Sequence, residues 1–231
     1  MLFETAEKLA QSKPQLRSLL FGSETVRAID RRPFFASVLA HSIPEGTEPE
    51  TEVDLIEAWW TRAGHDADAG TIPQRQRALI DIAEHGVGNL GKSIPMRDLK
   101  DLTIPQIAAL KADRIIRDEK VGSSLAFAHD IFFEWAFLRL LIDLGDDWMK
   151  VLKDAGEPPL LGRVVGLMAQ QAVTKKGKWT EGYRALEKKN LRRQWQREWL
   201  TAPPFTPAFE GAKDEFSGLL HVVPANVLGE E

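Results

Sequence analysis

The segment from Asp130 to Leu144 constrains the fold more than any other part of the sequence. Its apolar residues form one helical stripe with a second group beside it: Ile131, Trp135, Leu138 and Ile142, then Phe133, Phe137 and Leu141. A helix that is apolar on most of its circumference is stable only when other elements cover it on several sides. Gly145 follows, and glycine is the usual residue just beyond a helix end. The sequence therefore predicts a buried helix here.

Helix-like and strand-like segments precede the buried helix. The predicted helices are 51–64, opened by a capping box of Thr51 and Asp54, then 73–85, and a short one opened by Thr103 and Pro105. The predicted strands are 114–117 and 125–128, joined by a loop rich in turn formers. Three helices followed by a β-hairpin is the element order of a winged helix.

The segments after the buried helix are also predicted to be helical. They are Leu160–Val173, a long helix over Trp179–Leu200 and a weak one over Ala208–Leu220, separated by proline-rich breaks. We therefore predict a mainly α fold in three parts: a small helical bundle, a winged-helix domain with a short β-hairpin, and the start of an α-helical repeat array. The expected domains are 1–45, 46–147 and 148–231, with a polar linker at 44–52.

Composition excludes several classes of protein. Hydrophobic residues make up 43% and charged residues 28% of the 231 residues, which is the balance of a folded globular chain. The sequence has no cysteine, so disulfides, thiol catalysis and thiolate zinc sites are excluded. No apolar run approaches the roughly 18 residues of a membrane span, and the start lacks the layout of a signal peptide. We expect a cytoplasmic protein with no membrane contact.

Residues Gly86–Ser93 match the phosphate-loop pattern G-x-x-x-x-G-K-[ST] at every fixed position. In a true phosphate loop a buried strand precedes the first glycine, and the Lys-Ser pair begins a helix. Here the preceding residues 74–84 carry the charge spacing of an amphipathic helix, and Pro95 would interrupt the first turns of the helix required after Ser93. The context favours a glycine-rich turn between helices.

The segment Lys175–Arg197 is strongly basic and carries tryptophans. Nine lysines and arginines stand against three glutamates between Lys175 and Trp199. Basic residues interleaved with aromatic ones could bind nucleic acid through phosphate contacts and stacking. The alternative is a helix with a buried aromatic stripe and a solvated charged face, which we favour because Trp195 and Trp199 are four residues apart.

No catalytic residue or metal ligand set is assigned from motifs. The sequence contains no G-x-S-x-G elbow and no H-E-x-x-H spacing among its five histidines. His129 and Asp130 lie where a predicted strand passes into the buried helix. From the residues alone, Asp130 is expected to cap that helix and His129 to be a hydrogen-bonded junction residue.

The residues 125–136 resemble the winged-helix segment of STAND-type signalling NTPases, the NACHT and apoptotic-ATPase relatives. In that family a strand ending Phe-x-His leads into a helix with an acidic residue a few positions on, and Phe127, His129 and Glu134 match. Upstream, the sequence 31–35 (Arg-Arg-Pro-Phe-Phe) is similar to the proline-containing helix start of the family's small helical domain. The resemblance covers roughly residues 10–170.

The resemblance implies a nucleotide-dependent switch. Pro33 would pack near the adenine, and His129 would reach the phosphates of bound ADP and hold a resting form that exchange for ATP releases. The ATPase core that supplies the family's phosphate loop and Mg²⁺ site has no counterpart here. We therefore expect no cofactor for this chain alone, and ATP or ADP with Mg²⁺ for the full-length protein. The expected partners are a P-loop ATPase core, in the same or a partner chain, and a protein ligand or a second copy.

Three functions remain open from the sequence. The favoured one is a non-catalytic regulatory and interaction segment of a signalling ATPase. The second is a nucleic-acid-binding winged helix, for which the short third helix offers only Lys111. The third and least favoured is a free-standing P-loop NTPase that uses Gly86–Ser93.

Overall fold

A computed structural model describes residues 7–8, 11, 49, 51–64, 68–88 and 93–221 of the chain. Within these residues the fold is mainly helical, with nine α-helices and three short strands. In chain order they are α1 (Glu52–Thr61), α2 (Ile72–Val87), β1 (Ile94–Pro95), α3 (Ile107–Ala112), β2 (Ile116–Lys120), β3 (Ser124–Phe127), α4 (Asp130–Asp143), α5 (Trp148–Asp154), α6 (Gly162–Val173), α7 (Lys178–Lys188), α8 (Arg193–Thr201) and α9 (Lys213–Leu220). The predicted mainly α fold with a small β-hairpin is confirmed. Pro33 and almost all of the predicted helical subdomain lie outside the described residues.

The described residues belong to two compact units. The first contains the residues up to Asp81 together with Met96–Ala128, and the second contains Ile82–Pro95 together with the residues from His129 onward. The hairpin therefore belongs to the first unit and α4 to the second.

Helix α1 begins with the predicted capping box. The backbone N–H of Thr51 donates to the Asp54 carboxylate at 2.8 Å, and the N–H of Asp54 donates to the Thr51 hydroxyl at 3.2 Å. Each bond satisfies an amide that has no partner within the helix. Trp59 and Trp60 are both buried in α1, Trp59 completely. Because adjacent residues point in different directions around a helix, α1 must be covered by other elements over a wide face.

A buried arginine joins the helices of the first unit. The Nε of Arg75, on α2, donates to the carbonyl of Ala63 at 3.1 Å, and its guanidinium is ion-paired with Asp113. Arg75 is only 5% exposed, so these partners replace the water that a guanidinium requires. The residues that follow α1 and α3 are thereby held against α2.

Thr103 has a role that the sequence did not predict. Its side chain makes no capping bond, and its hydroxyl instead donates to the buried carboxylate of Asp81 at 2.6 Å. The backbone N–H of Lys100 donates to the same carboxylate oxygen at 2.9 Å. The predicted short helix is present, with Ile107 and Leu110 buried. The Asp81 carboxylate holds the residues that lead into this helix against α2.

Strands β2 and β3 form the predicted antiparallel hairpin. The paired residues are Ile116 with Phe127, Arg117 with Ala126, Asp118 with Leu125 and Lys120 with Ser124, with an irregularity between Asp118 and Lys120. The first strand begins two residues later than predicted because Arg114 has a left-handed backbone with φ of 57°, which an extended strand excludes.

Helix α4 is buried as predicted: all residues from 131 to 142 are buried or half-buried, and only its two terminal aspartates are exposed. Trp135, Phe137, Leu138 and Leu141 are fully buried. Phe132, which the sequence did not place inward, is also buried, whereas Phe133 beside it is half-buried. The buried surface of α4 is therefore wider than the stripe predicted from spacing.

The predicted long helix over Trp179–Leu200 is wrong. The segment forms two helices, α7 and α8, and Asn190 between them has a left-handed backbone with φ of 50°. The N–H of Leu191 donates to the carbonyl of Leu186 at 3.1 Å, which closes the end of α7. Asparagine tolerates this conformation better than most residues. Helix α5 was not predicted at all.

Candidate functional site

His129 lies at the start of α4, as the sequence predicted, and its residue is exposed. Its backbone is extended, with φ of −140° and ψ of 145°, so it is the residue that caps α4 and Asp130 is the first helical residue. The expectation that Asp130 caps the helix is therefore wrong. Asp130 instead places its carboxylate in the first turn, beside the positive end of the helix dipole.

The His129 side chain makes no capping hydrogen bond to the first turn of α4. The imidazole of His129 lies 6.2 Å from the ring of Phe132, measured between centroids, with the ring planes tilted by 58°. The N–H of Phe132 donates to the carbonyl of His129 at 3.0 Å. An exposed imidazole at the N-terminus of a helix is an arrangement that can attract an anion.

Glu134, the acidic residue of the resemblance, is ion-paired with Arg163 of α6. The two side chains are 15% and 33% exposed respectively. The pair joins α4 to α6 within the second unit, and its burial makes both partners expensive to remove. In the observed structure Glu134 is therefore a packing contact.

The phosphate-loop pattern begins inside a helix. Gly86 lies in the last turn of α2, and a Cβ at this position would lie 3.3 Å from the ring of Phe133. Ser93 is followed by β1 and a 3₁₀-helix at Met96–Asp98, so no α-helix begins at Ser93. The helix predicted at 73–85 is confirmed, and residues 89–92 of the pattern, including Lys92, lie outside the described residues.

The tryptophans of the basic segment are buried and its charged residues are solvated. Trp179, Trp195 and Trp199 are at most 2% exposed. Eight of the nine basic residues are exposed, and Arg197 is half-buried; the eight are Lys175, Lys176, Lys178, Arg184, Lys188, Lys189, Arg192 and Arg193. The aromatic side chains are thus part of the core, and the interpretation as a buried stripe with a charged outer face is confirmed.

Two of these tryptophans hold α7 and α8 together by reciprocal hydrogen bonds. The indole N–H of Trp179 donates to the carbonyl of Trp199 at 2.9 Å, and the indole N–H of Trp199 donates to the carbonyl of Trp179 at 2.9 Å. Trp199 also stacks on Trp148 of α5, with ring centroids 5.6 Å apart. The two indoles therefore fix the relative position of three helices.

An open cleft of about 420 Å³ lies beside this tryptophan cluster. Residues of α4 to α8 line it, and α7 contributes one stripe: Lys178, Glu181, Gly182, Ala185 and Lys189. Glu181 is hydrogen-bonded to the Lys178 ammonium at 2.7 Å and, with the negative charge of Asp146, raises the pKa of Lys178 above 10.5. Spacing along one helix could have grouped the α7 residues, but the cleft lies among five helices whose packing no sequence pattern predicted.

Two of the basic residues near the hairpin are paired with acidic ones. Lys111 of α3 contacts Asp118 at 2.5 Å, and Arg117 contacts Glu119 at 2.7 Å. Charges neutralised in this way contribute less attraction to a phosphate backbone. The hairpin face therefore offers little support for nucleic-acid binding.

The described residues include neither a cluster suited to a metal ion nor a helix that could cross a membrane. In the ranges given above, no cluster of three or more histidines, aspartates or glutamates is placed to hold a metal ion. No helix in that part of the chain is long and apolar enough to cross a membrane. Comparisons with protein-family models, with curated proteins and with solved structures found no match.

Proposed function

We propose that the chain is a non-catalytic regulatory segment of a STAND-type signalling ATPase. In this role it relays the nucleotide state of a separate P-loop ATPase core to helical sensor repeats. The winged-helix part carries the switch residue His129, and the helices after α4 form the beginning of the sensor array.

The position of His129 is the observation that supports this proposal most directly. His129 is exposed at the N-cap of α4, just after strand β3, and its own side chain makes no capping bond to that helix. A phosphate held by another domain could accept a hydrogen bond from the imidazole, close to the positive end of the α4 dipole. Such a contact would bias a two-state equilibrium toward the form that makes it.

The order of elements also supports the proposal. Helices α1 to α3 precede the β2–β3 hairpin, and the N–H of Met96 donates to the carbonyl of Ser123 at 2.9 Å. This bond attaches the segment after β1 to the edge of the hairpin, as in a winged helix. Helices α6, α7 and α8 pack on one another after it, which is compatible with the first members of a helical array.

The test uses a purified STAND-type ATPase core that has its own phosphate loop and bound ADP. We expect the wild-type chain to slow ADP release from the core by at least about tenfold, the effect of roughly 1.4 kcal/mol of coupling. His129→Ala should abolish the effect, whereas His221→Ala, at an exposed histidine after α9, should leave it intact. Equal ADP release with wild type and His129→Ala would refute the proposed switch.

A second measurement separates the proposal from a P-loop enzyme. The chain alone should show no saturable, Mg²⁺-dependent ATP turnover, because helix α2 precedes Gly86 where a phosphate loop needs a strand. Turnover by the wild-type chain that is lost in Lys92→Ala would assign the activity to Gly86–Ser93 and overturn the proposal.

A further inference from the structure

The cleft beside the tryptophan cluster has a floor that can adapt to an apolar ligand. Met149 of α5 and Met168 of α6 line it together with Leu141 and the rings of Trp148 and Trp199. Methionine side chains are flexible and polarisable, so they fit ligands of irregular shape. Between Glu181 and Lys189, the α7 wall presents only the small residues Gly182 and Ala185.

The size of the cleft favours a small molecule over a protein helix. A volume of about 420 Å³ lies in the range of ligand sites, which is roughly 300–1,000 Å³. The α7 wall runs from Lys178 to Lys189, and at about 1.5 Å per residue it is about 16 Å long. This length suits an extended acyl chain.

The rim carries a surplus of positive charge. Three lysines line it, Lys175, Lys178 and Lys189, against the two acids Asp146 and Glu181. Glu181 is bound to Lys178 at 2.7 Å, and the described residues hold no ion-pair partner for Lys175 or Lys189. Two ammonium groups at the edge of an apolar cleft favour an anionic group attached to an apolar body.

We propose that this cleft binds a small amphipathic carboxylate, with its hydrocarbon chain over Met149 and Met168 and its carboxylate at Lys175 or Lys189. The proposal does not depend on the assignment of the chain to a signalling ATPase. The cleft is complete within the second unit, so the chain itself can be tested.

The experiment is a calorimetric titration of the full chain with dodecanoate, and with dodecanoate methyl ester as the uncharged counterpart. We expect saturable one-to-one binding of the carboxylate, and binding of the ester that is weaker by at least about tenfold. In the double variant Lys175→Gln/Lys189→Gln, the affinity for dodecanoate should fall by about the same factor, whereas the affinity for the ester should not change.

Two further variants test whether binding depends on the cleft itself: one changes lysines outside it, and the other fills part of it. Lys176→Gln/Lys188→Gln removes the neighbouring exposed lysines, which do not line the cleft, and should bind dodecanoate as the wild type does. Ala185→Leu fills the α7 wall and should weaken both ligands. Equal affinity of the ester and the carboxylate, or equal losses in the two lysine pairs, would overturn the proposed site.

Discussion

Gly182 lets α7 and α8 approach each other, since its missing side chain leaves room for the indole of Trp199. A Cβ at this position would lie 2.8 Å from Cη2 of that indole and would overlap Cζ2 even more closely. Because Trp199 is hydrogen-bonded and stacked, its ring cannot shift without losing these contacts. The close packing of α7 against α8 therefore requires glycine at position 182.

Gly182→Ala should lower the free energy of unfolding by about 1–3 kcal/mol, the usual cost of overpacking, although alanine is otherwise the better helix former. Gly218→Ala is the matched control, because Gly218 lies in α9 and a Cβ there would meet nothing within 4 Å. It should raise the free energy of unfolding by about 0.5–1 kcal/mol. Urea unfolding of both variants measures the difference, and equal stability would contradict the proposed packing.

Tyr183 makes the stability of the chain sensitive to alkaline pH. It is the only tyrosine in the sequence. Burial, and then the charge of Glu187, raise the pKa of its hydroxyl above the ordinary value of 10.0. Between 10.0 and the raised pKa the unfolded chain loses a proton that the folded chain keeps, so this contribution to stability is present below pH 10.0 and is lost as pH rises through that window.

Tyr183→Phe should remove this alkaline loss and cost little at neutral pH, since the described residues offer the hydroxyl no hydrogen-bond partner. Unfolding measured at a series of pH values should give wild-type and variant curves that coincide at neutral pH and diverge above 10.0. Tyrosinate absorbance of the folded wild type should also rise later than that of the unfolded chain. Coincident absorbance curves would show that the hydroxyl is solvated.

At the scale of elements, the two indole bonds hold α7 and α8 together. The carbonyl of Trp199 would ordinarily bond the amide four residues on, but Pro203 has no N–H to donate. The indole of Trp179 supplies the missing donor at 2.9 Å. The helix end at α8 is therefore satisfied by a side chain of the neighbouring helix, and not by its own backbone.

Trp179→Phe should cost about 1–3 kcal/mol more than Trp195→Phe, because it also leaves the buried Trp199 carbonyl without a donor. The two substitutions remove the same side-chain atoms from fully buried positions. In the described residues the indole N–H of Trp195 has no partner, so it is the matched control. Chemical denaturation of the two variants gives the comparison, and equal losses would show that the indole bond contributes nothing net.

Periodicity predicted the helices well and the connections poorly. The capping box at Thr51, the helix at 73–85 and the buried α4 follow from local residue patterns that the structure reproduces. The break at Asn190 depends on one residue in a left-handed conformation, inside a pattern that also suits a continuous helix. The position of His129 was predictable from its place between strand and helix, whereas the cleft arises from packing among five helices.

At the scale of the whole molecule, charge is distributed very unevenly. The net charge is −4, although the segment 175–199 holds nine basic residues and three glutamates. The rest of the chain is therefore acidic, and Lys111 and Arg117 near the hairpin are ion-paired. A winged helix that binds DNA through its third helix and hairpin needs the opposite arrangement.

The distribution of charge predicts that the chain binds duplex DNA only weakly and only at low salt, through the exposed lysines of the second unit. Fluorescence anisotropy should then show an affinity that falls with salt at a slope of about −0.9 for each phosphate contacted, with no more than about three contacts. Lys176→Gln/Arg184→Gln/Lys188→Gln should weaken this binding and make its salt slope shallower, while Lys111→Gln should leave it unchanged. Tight binding that persists at physiological salt and is lost in Lys111→Gln would instead support a nucleic-acid-binding winged helix, because only a specific contact by α3 would give that dependence.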